Sequence, residues 1–215
     1  TTTGNGVVTL NGSGTTTIVD AGEITADGAV TMTSTGGINT DGDVTTTNDN
    51  VTFNSAVTLD GDVAIGSGAT GGDVDFNSTV AMAGNALTLD AGTAGDITAV
   101  GTVSGGGTIT LTDSGSTTFN SAVTVNTVTL TDTTGAVQFD NNLTATTLAS
   151  SVNGHSVILN GAATTVTNAV TFNNTGGVTL GNGGDALTFN GGLTSTASTT
   201  SIGGNIIVNG GNLAL

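Results

Sequence analysis

The 215-residue chain contains no lysine, arginine, cysteine, proline, tryptophan or tyrosine, and each absence removes a class of protein. Without a permanent cation it cannot neutralise nucleic-acid phosphates or dock electrostatically on an anionic membrane surface, so neither a nucleic-acid partner nor membrane insertion is expected. Without cysteine there is no disulfide framework and no thiolate metal site. No run reaches the roughly 18 consecutive apolar residues of a membrane-spanning helix. The 16 acidic residues are therefore uncompensated, and the formal net charge is −16. The chain opens on Thr1 with neither an initiator methionine nor a basic leader, which is expected of a processed chain or of a segment of a larger one.

What fills the sequence instead is glycine, threonine, asparagine and β-branched apolar residues. Disordered chains are poor in the last of these, so a folded chain is expected. The dominant pattern is an apolar residue, a threonine and a second apolar residue: Val30-Thr31-Met32, Val51-Thr52-Phe53, Val57-Thr58-Leu59, Leu87-Thr88-Leu89, Ile109-Thr110-Leu111, Val128-Thr129-Leu130 and Val178-Thr179-Leu180. A period of two marks a strand with one face buried. The middle position also takes Ala64, Asp75 and Gln138, as a water-facing position would. Clusters of Gly, Asn, Asp and Ser separate the strands and supply the backbone conformations that tight turns need. Helical periodicity is absent.

Short strands alone are compatible with an antiparallel sandwich as well as a solenoid; the repeats favour the solenoid. All six phenylalanines are followed by Asn or Asp, as in Phe53-Asn54-Ser55-Ala56-Val57, Phe76-Asn77-Ser78-Thr79-Val80 and Phe119-Asn120-Ser121-Ala122-Val123. The steps from Phe53 to Phe76, from Phe119 to Phe139 and from Phe172 to Phe189 are similar in length, and the step from Phe76 to Phe119 is about twice as long. The spacing predicts a repeat with one coil lacking Phe, and a period of roughly 20 residues or more is the mark of stacked repeats. The expected fold is therefore all-β: a single elongated parallel β-helix or β-solenoid over residues 1–215, with coils of about 20 residues stacked about 4.8 Å apart. Phe is expected to stack on Phe inside, and the following Asn to form a side-chain ladder at the corner. The drift in period predicts corners of varied length.

The residues from Gly135 to Gly192, among them Thr167-Asn168-Ala169-Val170-Thr171-Phe172-Asn173-Asn174 and Gly176-Gly177-Val178-Thr179-Leu180, resemble the repeat regions of filamentous-haemagglutinin-like, β-strand-repeat bacterial surface adhesins. The style of repeat extends over essentially the whole chain. The resemblance implies a right-handed parallel β-helix, export to the cell surface and a role in attachment, aggregation or biofilm. The complete lack of Lys and Arg departs from that pattern. The function expected is an extracellular stalk or adhesive repeat. A self-assembling subunit of an extracellular filament or sheath, stacking end to end with its own kind, is the alternative, and an ice-binding solenoid a minor one.

Candidate chemical sites are few. Asp41-Gly42-Asp43 recurs as Asp60-Gly61-Asp62, close to one coil further on, so stacking would bring four carboxylates together. Asp41, Asp43, Asp60 and Asp62 are thus a candidate Ca²⁺ site with oxygen ligands, with Asp73 and Asp75 as possible extensions. The competing reading is that each Asp caps its own turn in screening salt water. Gly181-Asn182-Gly183-Gly184-Asp185, nearest to a calcium-binding toxin repeat, occurs once and reads as a turn. His155, the only imidazole, has no second His or Cys to complete a zinc site and no nucleophile-elbow sequence beside it; it is expected at a surface turn. Glycoside hydrolysis needs two carboxylic acids at one cleft, and the Asp pairs sit instead in repeated turns, so no enzyme is expected. Thr15-Thr16-Thr17, Thr45-Thr46-Thr47 and Thr165-Val166-Thr167 are the candidates for a water-ordering threonine array.

Overall fold

The computed structural model describes residues 1–132 and 134–215. They form 28 short strands and, among the described residues, no helix. The three-residue motif folds as its alternation dictates. In Val51–Phe53, Val51 and Phe53 are fully buried while Thr52 is part-exposed. Each strand pairs in parallel with the strands one coil before and after it. On the first face Val30 sits over Val8, Val51 over Val30, Val74 over Val51 and Ile97 over Val74, in ten successive strands. The remaining 18 strands make one continuous sheet that folds over a corner into the second and third faces. Two strands, Val123–Leu130 and Leu143–Ser150, are long enough to run through both. The result is a β-solenoid of about ten turns, with coils about 21 residues apart, and at about 4.8 Å per coil its length is roughly 45 Å.

Coil length varies because the corners vary while the strands keep register. The coil from Val137 to its partner Val157 is shorter than the coil from Val74 to its partner Ile97, yet both pairs are aligned. Where chain is inserted, glycine makes it fit. Gly68 has φ +96°, and a Cβ there would collide with the amide nitrogen of Asn48 on the coil below. Gly107 has φ +76°, and a Cβ there would collide with the carbonyl oxygen of Asn85. L side chains tolerate neither the backbone conformation nor the approach.

The core is a set of vertical columns. Val, Leu, Ile, Met and Phe from all three faces form one contiguous buried cluster, each fully buried side chain contributing about 1.5–3 kcal/mol. Phe53 stacks on Phe76, centroids 5.0 Å apart and planes 6° from parallel, and Phe119 on Phe139 at 4.8 Å and 9°. Ala99 occupies the same column between Phe76 and Phe119, so it marks the coil without Phe that the long step between those two predicts. The last two phenylalanines depart from that expectation. Phe172 is on the third face, between Ser150 and Ser195, and Phe189 on the second, between Val166 and Val208. The steps from Phe139 to Phe172 and from Phe172 to Phe189 therefore cross from face to face and do not measure a coil. The Asn ladder is present at the corners: Asn77 Nδ2 donates to Asn54 Oδ1 at 2.9 Å, Asn54 Nδ2 to Thr33 Oγ1 at 3.1 Å, and Asn209 Nδ2 to Asn190 Oδ1 at 2.7 Å.

Two inward hydroxyls break the apolar columns of the second face: Thr40, which donates to the Gly42 carbonyl at 2.7 Å, and Thr164. Thr164 lies beneath Leu187 and is fully buried, and its hydroxyl has no hydrogen-bond partner. A buried hydroxyl without a partner costs about 1–3 kcal/mol. Thr164→Val, which keeps the shape, is expected to raise the unfolding free energy by about 1 kcal/mol or more, read by denaturant melts.

Candidate functional site

Strand alternation turns at least one residue per coil outward on each face. On the first face the outward column starts at Thr9, Thr31 and Thr52, passes through Asp75, Thr98, Thr118, Gln138 and Ile158, and ends at Thr179 and Ser201. The three threonine triplets do not combine into one array. Thr16 and Thr17 belong to the strand Thr16–Ile18 on the second face and Thr45 and Thr46 to Val44–Thr46 on the third. Thr46 points inward and its hydroxyl donates to the Asp49 carbonyl, while Thr16 and Ser34 share a hydrogen bond beneath the surface. A three-residue strand exposes one threonine, and two files run side by side for a few coils on the third face, Thr108, Thr127 and Thr147 beside Thr88, Thr110 and Thr129.

The aspartates have specific work at the corners. There the chain leaves the sheet, and the first N–H of the coil above loses its carbonyl partner. Asp43 Oδ1 accepts from Ala64 N–H and Asp62 Oδ1 from Ala86 N–H, both at 2.7 Å. A further ladder climbs from Asn50 Oδ1, which accepts from Asp73 N–H at 2.9 Å, to Asp73 Oδ1, which accepts from Asp96 N–H at 3.0 Å, and to Asp96 Oδ1, which accepts from Ser116 Oγ at 2.7 Å. The carboxylate of Asp41 lies against Gly61, where a Cβ would collide with it. Asp41, Asp43, Asp60 and Asp62 thus share one corner, but Asp43 and Asp62 each spend an oxygen on the coil above. Among the described residues no three His, Cys, Asp or Glu side chains gather as metal ligands. Asp75, on the outer column, has its carboxyl held above the usual range, by partial burial first and then by repulsion from Asp73 and Asp96, with a Thr98 hydrogen bond acting against both.

At Gly181–Asp185 the structure is a turn: Asp185 Oδ2 accepts from Asn182 N–H at 2.6 Å, and Gly183 and Gly184 both have positive φ. His155, expected at the surface, is instead fully buried. The cause is local. The Asn153-Gly154 turn folds the chain inward, Asn153 Nδ2 donates to the Thr131 carbonyl at 2.5 Å, and the ring is pinned on both sides. Nδ1 meets the Asp132 backbone carbonyl at 2.8 Å and Nε2 the Ser150 hydroxyl at 3.1 Å. The Ser150, His155 and Asp132 trio differs from a hydrolytic triad, since the histidine faces a main-chain carbonyl and not the carboxylate, and all three side chains are closed off from solvent. Asp132 is itself buried. Its Oδ1 accepts from Ser114 N–H and Thr134 N–H and its Oδ2 from Ser114 Oγ, at 3.2, 3.1 and 2.5 Å. Burial holds its carboxyl above the usual range; these bonds act against the burial, and a hydrogen bond with Asp113 reinforces it.

This internal polar corner escaped the sequence reading. Its one signal was positional: Ser150 ends a strand at the inward place that Leu130 fills one coil earlier. Surface relief is slight. The hollow between Thr45, Thr46, Gly66, Gly68, Ala69 and Asp90 holds about 270 Å³ and contributes one carboxyl group, whose Oδ1 accepts from Gly92 N–H at 3.0 Å. No family model, no curated protein and no solved structure matches the chain.

If Asp43 acts as a backbone cap, Asp43→Ala should cost about 1 kcal/mol and Asp43→Asn, which keeps the accepting oxygen, much less. The same ranking in thermal melts with and without chelator identifies the cap; a loss that appears only without chelator identifies a metal ligand.

Proposed function

We propose that the chain is a stiff spacer or adhesive repeat of an extracellular, cell-surface protein, acting through length and display and not through catalysis. The observation that carries this reading is the unbroken first-face register from Thr9 to Ser201. A stack in which each coil contacts only its neighbours is a quasi-one-dimensional rod, and its mechanical properties scale with the number of coils. The lateral surface fits exposure outside the cell: files of hydroxyl and amide side chains, no cation, and 16 acidic groups that keep neighbouring rods apart. The shallow hollows lack the convergent polar groups on which catalysis is built.

A second reading, a subunit that assembles axially into a filament, has one observation in its favour. The last coil leaves Ile202, Leu213 and Leu215 about half exposed, beside a strand edge with unpaired backbone groups. A following coil, from the same polypeptide or from a second chain, would cover both.

Negative-stain electron microscopy with sedimentation velocity across a concentration series separates the readings. Single rods of roughly 45 Å that do not grow with concentration support the spacer. Filaments of constant width that lengthen with concentration support the assembling subunit. Compact particles with no long axis contradict both.

A further inference from the structure

Ionisable side chains are nearly absent from the interior, yet two of the three that are buried, Asp132 and His155, meet at one corner of the rod. That corner, where the third face turns into the first, repeatedly takes a small hydroxyl inward. Thr46 donates to the Asp49 carbonyl and Ser67 to the Gly72 carbonyl. Higher up, the single hydroxyl gives way to a network. The Asp132 carbonyl only accepts, so the imidazole carries its proton on Nδ1 and Nε2 accepts from the Ser150 hydroxyl. Asn174 Nδ2 donates to the carbonyls of His155, Gly176 and Gly177, which turns Asn174 Oδ1 toward Ser150 Oγ at 3.2 Å. Ser150 thus stands between two acceptors with one proton to give.

We propose that His155 is a proton-operated latch in the wall of the rod: neutral, it closes the corner between Asp132 and Asn174, and on taking a proton at mildly acid pH it loosens that stretch. A proton from solvent binds Nε2, the ring then donates to Ser150 Oγ, and the Ser150 hydroxyl swings its own proton to Asn174 Oδ1. No covalent bond breaks. The network stays connected, but a cation now lies in the core.

The groups facing His155 set the sign. From the coils before it come Asp132, whose backbone carbonyl and charge both favour the imidazolium, and Asp113, which acts on Asp132. Ser150 from the same corner and Asn174 from the following coil are uncharged, and the chain has no Lys or Arg. Burial outweighs Asp132 and holds the imidazole below its ordinary value. The unfolded chain therefore takes the proton first, and stability falls as pH drops through about 6.5. Asp132 acts in the opposite sense: held above the usual range, it protonates first in the native state and adds stability as pH falls further. The comparison is best made between pH 7.5 and 5.5, against a variant lacking the imidazole.

The chain has one histidine, so long-range ¹H–¹⁵N spectra follow this group alone. The expected result is the Nδ1–H tautomer at pH 7.5, a titration midpoint below about 6.5, and a melting temperature about 2–4 °C lower at pH 5.5 than at 7.5, with His155→Gln showing no such drop. An imidazole that titrates at or above its ordinary value, or an equal drop in His155→Gln, overturns the proposal. Should His155→Gln fail to fold, the titration and tautomer of the unaltered protein decide it.

Discussion

The backbone hydrogen bonds between coils are the interaction on which the rest of the structure depends. No single coil can bury its own apolar side chains, because short strands around a triangle leave their inward residues open above and below. Stacking in parallel covers Phe53 with Phe76 and Val137 with Val157 while pairing the backbone of each coil with the next. The side-chain columns follow from that register. A slip of one residue would turn Val51 and Phe53 outward and Thr52 inward, so pairing and burial enforce each other at every step.

Charge is arranged around the same constraint. With 16 acidic residues and no Lys or Arg, repulsion has no partner to absorb it. The fold places most carboxylates at corners, where water and salt screen them and where several accept the N–H that a corner would otherwise strand. Asp43, Asp62 and Asp73 each join two coils in this way. The acidic side chain is thus part of the vertical bonding of the rod as well as the source of its charge. Asp132 and Asp185 are drawn inside, and Asp132 is held by Ser114 and Thr134 next to the chain's only imidazole.

Much of the fold was legible in the sequence because period-two alternation, Gly/Asn corners and a recurring Phe-Asn step are local signals that return in coil after coil. A coil lacking Phe could be anticipated, though not that Ala99 fills its place, and the corner ladder of Asn54 and Asn77 could be anticipated as amides in register. Face assignment was not legible for Phe172 and Phe189, since a strand on the second face has the same local sequence as one on the first. The buried histidine was hidden for a different reason. His155 follows an Asn-Gly turn, which on local grounds points outward, and its inward placement depends on Asp132, Ser150 and Asn174, two of which belong to neighbouring coils. The aspartate corner was half legible: the repeat of Asp41-Gly42-Asp43 at Asp60-Gly61-Asp62 located the stacking, while the bond from Asp43 to Ala64 required the register.

That register is open to direct measurement. Thr31 and Thr179 lie on the same outward column of the first face, seven coils apart in the stack, and the chain has no cysteine of its own. Spin labels attached to a Thr31→Cys, Thr179→Cys variant should give a narrow distance distribution centred near about 34 Å by pulsed electron resonance. A broad distribution, or a mean below about 25 Å as two packed antiparallel sheets with strands about 4.8 Å apart would give, would contradict the stacked-coil account.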